Sequence, residues 1–214
     1  MDRCQSMAKE RGRPRSFDRD QALKAAMDVF WAKGYAGASL ADLKAAMGIN
    51  APSLYAAFGS KEELFEAAVD LYSETAGVEL WAHFVDAPDT RAGIAALLLA
   101  SADIYVAPKQ PPGCLVVLGA LVGGEAEATV ARNLARRRAW STQKIAARLQ
   151  AEIAAGTLPK EADPEAIATF YTTLQQGMSL QARDGASRET LRAIARNAMA
   201  AWDGLIHPVK ISAA

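Results

Sequence analysis

The chain has 214 residues, enough for one large domain or for a small domain joined to a medium-sized one. Its 51% apolar and 22% charged residues are typical of a globular protein with a real core, and its many alanines favour an all-helical fold. The 24 basic and 24 acidic residues cancel, so overall charge alone does not draw this protein to nucleic acid.

Residues 1–15 are predicted to form a flexible basic arm. Between positions 9 and 15, the bases Lys9, Arg11, Arg13 and Arg15 outnumber a single acid, Glu10. A basic cluster at one end of a neutral protein is typical of an anion-binding segment, and it equally fits a solvated tail. The cluster alone leaves both interpretations open.

The cysteines, histidines and hydropathy of the chain bear on where the protein acts and on whether it binds a metal or cofactor. Cys4 and Cys114 lie far apart and give neither a metal-ligand spacing nor a disulfide framework. The N-terminus lacks the apolar core of a signal peptide, and the most apolar stretch, 114–124, is too short to span a bilayer. His83 and His207 have no metal-spaced partner, and neither a phosphate loop nor a nucleophile elbow occurs. We expect a cytoplasmic protein without membrane contact, metal, cofactor or enzymatic activity.

Helix-capping residues divide the first 60 positions into three helices. Asp18 precedes an apolar pattern with helical spacing that stops at a glycine. Ser39 caps a second segment, and Pro52 suits the first turn of a third. Ser60 and Glu63 form a capping box that begins a fourth, longer helix. The first three helices are predicted between the N-cap Asp18 and the stop Gly34, at 40–47 and at 52–58.

Longer helical patterns follow, separated by glycine and proline. The segment 106–113 holds Pro108, Pro111 and Pro112 and is predicted to be a loop. The longer helices are predicted at 61–84, 90–105, from Cys114 onward, 125–155, 164–183 and 187–206. The sequence therefore predicts an all-α fold of about nine helices with no strand.

The second and third helices have the geometry of a helix-turn-helix unit. Both are short, and the tight turn Gly48-Ile49-Asn50 joins them. Leu54 and Phe58 are predicted to point inward, which leaves Tyr55 and small residues facing outward. Small residues let a helix backbone sit deep in the major groove, but periodicity alone fits an ordinary helical hairpin as well.

Residues 12–66 strongly resemble the N-terminal domain of TetR-family regulators. The likeness is carried by Gly34-Tyr35, Ser39-Leu40, Met47-Gly48-Ile49, Ser53-Leu54-Tyr55 and Phe58-Gly59-Ser60-Lys61-Glu62-Glu63-Leu64, preceded by Gly12-Arg13-Pro14-Arg15. The resemblance implies a homodimer that reads a palindromic operator in double-stranded DNA. It also implies a DNA-binding domain at 16–60 and a ligand-binding and dimerisation domain at 61–214.

The resemblance assigns phosphate contacts to Ser39, Tyr55 and Lys61. A serine hydroxyl, a tyrosine hydroxyl and a lysine at a helix N-terminus are all groups that bind phosphate oxygens. We expect Arg13 and Arg15 of the basic arm to add further contacts to DNA.

The resemblance assigns base contacts to Pro52, Ser53 and Ala56. Ala56 departs from the family pattern, since many members carry a histidine there and alanine offers only a methyl group. Base reading then falls to Lys44, Asn50 and Ser53. The complete predicted DNA-binding set is Arg13, Arg15, Ser39, Lys44, Asn50, Pro52, Ser53, Tyr55, Ala56 and Lys61.

The C-terminal half resembles the family more loosely, through Gly113-Cys114-Leu115 and the stretch 176–186. The likeness implies several helices that enclose a pocket for an unknown small-molecule effector, and two final helices that dimerise. Aromatic residues in this half fit either core packing or the lining of an apolar pocket. The candidate ligand contacts are Trp81, Tyr105, Cys114, Trp140 and Gln175.

Cys114 has two interpretations. It follows Pro111-Pro112-Gly113 and begins a predicted helix, where backbone donors and the helix dipole lower the pKa of a thiol and raise its reactivity. That placement fits a redox or electrophile sensor. Free cysteine is also often a small buried apolar residue, and that interpretation stays open.

Apolar residues at three- and four-residue steps in 163–183 and 187–206 predict a four-helix dimer interface that includes Trp202. The leading hypothesis is a repressor that a small molecule releases from its operator. The alternatives are a transcriptional activator, a cytoplasmic small-molecule binder or enzyme with an incidental helix-turn-helix, and a thiol-based electrophile sensor acting through Cys114.

Overall fold

The computed structural model describes residues 17–120 and 127–207, and every regular element in those ranges is helical. The prediction of an all-α fold is confirmed. The helices are α1 (Arg19–Gly37), α2 (Leu40–Met47), α3 (Ala51–Phe58), α4 (Lys61–Tyr72), α5 (Val78–Val85), α6 (Thr90–Ile104), α7 (Leu115–Leu118), α8 (Ala128–Ala154), α9 (Pro164–Arg183), α10 (Arg188–Ala200) and α11 (Trp202–Ile206).

The predicted caps begin the helices at the expected residues. The Asp18 side chain accepts hydrogen bonds from two backbone amides of the first turn of α1. Ser39 and Asp42 form a capping box at the start of α2, and Ser60 and Glu63 form another at the start of α4. Each box satisfies amide donors that a helix leaves unpaired at its N-terminus, which fixes where the chain enters the helix.

The predicted long helix at 61–84 is interrupted by a π-helical turn at Ser73–Gly77 that joins α4 to α5. The Ser73 hydroxyl donates to Val69 O and the Thr75 hydroxyl donates to Leu71 O, both at 2.7 Å. Side-chain donors that compete for carbonyls four residues earlier loosen the regular helical ladder. The helical period of the sequence does not indicate this turn, which widens the helix at Ser73–Gly77.

A continuous set of buried apolar residues joins the helix-turn-helix region to the rest of the chain. Helix α1 packs along α4, where Phe30 meets the Phe65 ring edge-to-face at 5.0 Å and Trp31 meets Tyr72 at 4.8 Å. Further along the chain, α5 packs on α6, α6 on α10, and α8 on α9. None of the helices within the described ranges is both long and apolar enough to cross a bilayer.

The prediction that Trp202 lies in a dimer interface is wrong. Its side chain is only 3% exposed and packs within the same chain, with its ring centroid 6.2 Å from that of Tyr171. The apolar stripe found in the sequence is the stripe that faces the core, since Ile167, Met178 and Leu191 are also buried. A three-to-four-residue pattern identifies a buried face, but it does not say whether the same chain or a second copy buries it.

Candidate functional site

Helix α3 presents an uncharged face to solvent, made mostly of small residues and one tyrosine. Leu54 and Phe58 are buried as predicted, and the helix packs against α2 and α4. The opposite face carries Tyr55, which is 46% exposed, together with exposed Pro52 and Ala56. Helix α3 contains no acidic residue, so nothing on the helix itself repels a phosphate backbone.

The helices before and after α3 begin at Leu40, capped by Ser39, and at Lys61. Ser39 lies at the start of α2, where its hydroxyl donates to Asp42 Oδ2 at 2.7 Å and accepts from the Asp42 amide. Lys61 opens α4, and its Nζ lies 4.4 Å from the centre of the Tyr35 ring. Partial burial lowers the pKa of Lys61, and its cationic head is held over the aromatic face rather than left free. Both groups stand at helix N-termini, where the partial positive charge of the helix dipole is shared with the capping carboxylates Asp42 and Glu63.

The remaining candidate DNA contacts differ in their exposure and in the hydrogen bonds they already make within the chain. The Asn50 side chain caps α3, since its Oδ1 accepts from the Ser53 amide at 2.9 Å, and this leaves its amide N–H groups to reach outward. Ser53 and Lys44 are half-buried at the edge of the same surface. Arg13 and Arg15 lie outside the described residues.

The C-terminal helices enclose a cavity of about 890 Å³. Its wall is formed by the π turn, α5, α8 and α9 together with the start of α7. This volume suits a drug-sized organic molecule. The candidate ligand contacts Trp81, Tyr105, Cys114, Trp140 and Gln175 all line it.

The aromatic lining of the cavity has a buried end and an exposed end. Tyr105 is 1% exposed at the buried end, and Gln175, 7% exposed, donates its side-chain N–H to the Ser101 hydroxyl at 3.0 Å. At the other end, Trp140 is 50% exposed, and its ring centroid lies 5.5 Å from that of Trp81 in an edge-to-face pair. An aromatic surface with a few polar groups is the usual composition of a small-molecule site.

Arg183 at the end of α9 links the helix-turn-helix region to the rest of the chain. Its guanidinium donates to Trp31 O at 2.7 Å and to Ala32 O at 2.9 Å near the C-terminal end of α1. Its Nε donates to Pro112 O at 3.2 Å in the loop before α7. One side chain therefore ties α1, α9 and this loop together.

The same loop carries the link onward to the cavity wall. The indole N–H of Trp31 donates to Gly113 O at 3.0 Å, and the next residue, Cys114, donates its backbone N–H to the Ser179 hydroxyl at 2.8 Å. Gly113 has a φ of 82°, and an added Cβ would lie 2.7 Å from Ser179 O, so the close approach of the two segments requires glycine. A wall residue of the cavity is thus one residue away from a hydrogen bond to α1.

Comparisons with known proteins agree with this architecture. The model of the family described as bacterial regulatory proteins, tetR family, matches residues 22–68. The transcriptional repressor ComR of Escherichia coli K12 is 35% identical over 206 residues, which cover 96% of this chain and 98% of ComR. The chain belongs to the TetR family of bacterial regulatory proteins.

Two further relatives extend the likeness of this TetR-family chain. The repressor BdcR of the same E. coli strain is 32% identical, over 86% of this chain and 88% of BdcR. A solved structure of the TetR-family regulator CifR, bearing cysteine substitutions and complexed with 26-bp double-stranded operator DNA, is 46% identical. It superposes with a TM-score of 0.85 and covers 89% of this chain and 100% of the CifR chain. The similar proteins are thus helix-turn-helix regulators and include repressors.

The predicted effect of a helix N-terminus on Cys114 has the wrong direction. The thiol is 8% exposed, and burial raises its pKa above the ordinary value of 9.0, although a hydrogen bond with Tyr72 and nearby backbone amides act against that rise. Helix α7 spans only Leu115–Leu118, so few peptide dipoles align with the sulfur. The neutral thiol is the form that this site favours.

We expect Cys114 to resist alkylation in the folded protein because it is buried and protonated at neutral pH. In a Cys4→Ser variant, which leaves Cys114 as the single thiol, iodoacetamide at pH 7 should react at least about a hundredfold more slowly with folded than with guanidinium-unfolded protein. Mass spectrometry of timed samples measures both rates. Rapid labelling of the folded chain, with loss of DNA binding, would instead support the electrophile-sensor hypothesis.

Sequence reasoning did not identify the link through Arg183, Trp31 and Ser179. The stretch 176–186 resembled TetR-family members, and the structure gives a physical reason for two of its residues, since Ser179 and Arg183 bind the loop and α1. An arginine at a helix C-terminus ordinarily indicates only a favourable contact with the helix dipole. Its carbonyl partners are 71, 151 and 152 residues away in sequence, and no local pattern indicates such pairs.

Proposed function

We propose that this protein is a homodimeric transcriptional repressor that binds a palindromic operator through α3 and releases it when a small molecule occupies the cavity. The observation that carries the proposal is the exposed, acid-free face of α3, the helix that follows α2 with its N-cap at Ser39 and precedes α4, which begins at Lys61. Such a protein acts where the DNA is, in the cytoplasm, and as a regulator it needs no catalytic residue.

The proposal divides the chain by task. Residues 16–60 bind DNA, residues 61–214 bind the effector and dimerise, and residues 1–15 supply a basic arm. Tyr55 and Ser39 contact phosphates, while Ser53, Pro52 and Ala56 face the bases. Asn50 joins the base-reading group only through its amide N–H groups, because its oxygen caps α3. Lys44, Lys61, Arg13 and Arg15 complete the proposed DNA contacts.

Replacing Lys61 by alanine should weaken DNA binding to a similar degree on all sequences, because a phosphate contact carries no sequence information. The slope of log affinity against log salt should fall by about one unit. Fluorescence anisotropy on two unrelated duplexes over a salt series measures this slope. Lys160→Ala, an exposed lysine far along the chain, is the matched control and should change neither quantity. An unchanged slope with an altered sequence preference would assign base reading to Lys61.

The proposed dimer interface lies on the solvent-facing stripes of α9 and α10, not on the buried stripes. On α9, Thr173, Gly177 and Leu180 are exposed, and Leu180 is 46% exposed although it is a large apolar residue. An added Cβ at Gly177 would meet no atom within 4 Å, so nothing in the same chain requires a glycine there. On α10, half-buried Ala193 and exposed Ala200 are small residues two turns apart on one side of the helix. Small residues allow two helix pairs to approach closely.

Leu180→Arg should convert a dimer into a folded monomer, because the substitution places a charge on an apolar contact without touching the core. Sedimentation velocity at micromolar concentration measures the species, and circular dichroism should show unchanged helix content. Gln143→Arg on the exposed face of α8 serves as the control. If Leu180→Arg remains a tight dimer, the interface lies elsewhere on the chain.

The proposed release mechanism uses two physical connections between cavity and DNA surface. The first is the helix that begins at Lys61, passes the cavity through its π turn and continues as α5. The second is the Arg183 link, which ties α1 to the loop that carries Cys114. A ligand that moves the wall at either place shifts α1 or α4. Helix α4 packs directly on α3, and α1 packs on α2, which packs on α3. The two DNA-binding domains of a dimer must match half-sites about 34–36 Å apart. Displacing either domain by a few ångströms therefore disfavours the DNA-bound state.

A further inference from the structure

The cavity of the proposed effector carries more positive than negative charge. Among the described residues 17–120 and 127–207, its charged lining consists of the cations Arg136, Arg137, Arg138 and Lys144 and the carboxylates Glu66 and Asp86. Arg137 is compensated, because it pairs with Asp70 and lies 3.6 Å from Glu66. Three cations therefore stand against one remaining carboxylate in the wall.

Arg138 is one of these uncompensated cations, and it is half-buried. Its Nη1 donates to Val116 O at 2.9 Å, and it forms no ion pair with a carboxylate in the ranges that the structure describes. A guanidinium has five N–H donors, so most of the N–H groups of Arg138 remain available to bind an acceptor. Burial lowers the pKa of Arg138, since a half-buried cation without a counter-ion loses hydration. An anion in the cavity would restore that lost stabilisation.

Lys144 is held at the exposed end of the cavity by two indoles. Its Nζ lies 4.8 Å from the ring centroid of Trp140 and 5.4 Å from that of Trp81. Among residues 17–120 and 127–207 no carboxylate pairs with it. A cation fixed beside two aromatic rings offers charge and flat apolar surface at the same place.

We propose that the effector is an organic anion, a carboxylate carried on an aromatic or otherwise apolar body. The carboxylate pairs with the guanidinium of Arg138, a geometry in which arginine makes two parallel hydrogen bonds. The body lies against Trp81 and Trp140, and Lys144 draws the anion toward the cavity. The inference rests on the proposed function for its regulatory meaning, but the binding chemistry follows from the cavity alone.

Three probes with one ring system and different charges test the ligand class on the full-length chain: 2-naphthoate, the neutral 2-naphthamide and the cationic 2-naphthylmethylamine. Isothermal titration gives each affinity. We expect the carboxylate to bind about tenfold or more tightly than the amide, a ratio typical of one charge-assisted pair, and the amine to bind most weakly. Equal binding of carboxylate and amide, preference for the amine, or no binding of any probe at millimolar concentration would overturn the proposal.

Variants assign the charge preference to a residue. Arg138→Met keeps the side-chain length and removes the charge, so it should abolish the preference for carboxylate over amide, while Arg132→Met, at an exposed position of α8 outside the cavity lining, should leave it intact. If Arg138→Met is poorly folded, Arg138→Lys serves in its place. This variant keeps the charge and should retain part of the preference for carboxylate. A preference that survives in well-folded Arg138→Met would overturn the assignment. If the carboxylate binds but the DNA affinity does not change, the proposed release mechanism is contradicted, while the proposal that the cavity binds an organic anion is supported.

Discussion

Trp202→Glu is expected to unfold this protein rather than only to separate a dimer. The indole is 3% exposed and packs beside Tyr171, so the substitution both opens a cavity and buries an unpaired carboxylate. Removing a buried tryptophan costs about 3–5 kcal/mol, and the buried charge adds to that cost. We expect the free energy of unfolding to fall by more than about 4 kcal/mol, a large part of the stability of an ordinary domain.

Urea unfolding followed by circular dichroism measures the loss, with Trp140→Glu as a matched control. Trp140 is 50% exposed, so its carboxylate stays hydrated and the main loss is one aromatic pair, about 1 kcal/mol. Any loss of dimer in the Trp202 variant should coincide with loss of helix. A Trp202→Glu chain that stays fully helical but monomeric would restore the interface that the sequence pattern had predicted.

An effector bound in the cavity is expected to weaken operator affinity by up to about 10⁴-fold, the differential affinity needed to change nearly full occupancy into nearly none. With one site in each subunit of a dimer, each ligand contributes about 100-fold. A ligand that binds both states equally shifts nothing, so the cavity must differ between the DNA-bound and free conformations. Reciprocity then requires operator DNA to weaken ligand binding by the same factor.

Titration of the carboxylate probe with and without operator DNA measures this coupling. Arg183→Ala should reduce it, because the variant removes the hydrogen bonds from α9 to Trp31 O and Ala32 O. Arg192→Ala is the control, since it removes an exposed ion pair with Asp103 at 2.7 Å that does not reach α1. Equal ligand affinity in the two titrations of the native protein would contradict the release mechanism and leave a regulator with another kind of coupling.

Local chemistry explains why so much of the fold could be predicted from the sequence. The caps at Asp18, Ser39 and Ser60 act within three residues of themselves, so the side chain and its partner amide are visible in the same short stretch. The inward placement of Leu54 and Phe58 follows from helical period alone. The sequence alone therefore predicts which face of α3 points outward.

The features that the sequence did not predict depend on residues far away in sequence or on two opposing physical effects at one residue. The π turn arises where the Ser73 and Thr75 hydroxyls take carbonyls from the helix, which periodicity does not report. The pKa of Cys114 follows burial by residues from several helices, and that effect exceeds a short helix dipole. The burial of Trp202 within its own chain depends on the position of α9, which the pattern of α10 and α11 does not encode.

Selection of bound sequences from a random duplex library tests the central claim, that this chain reads an operator as a dimer through α3. The native protein should enrich one palindromic sequence whose half-sites are one helical turn, about 34–36 Å, or a multiple of it apart. Leu180→Arg should lose that enrichment with its dimer. Enrichment of a single non-repeated site, or no enrichment beyond salt-sensitive binding to all sequences, would contradict the account.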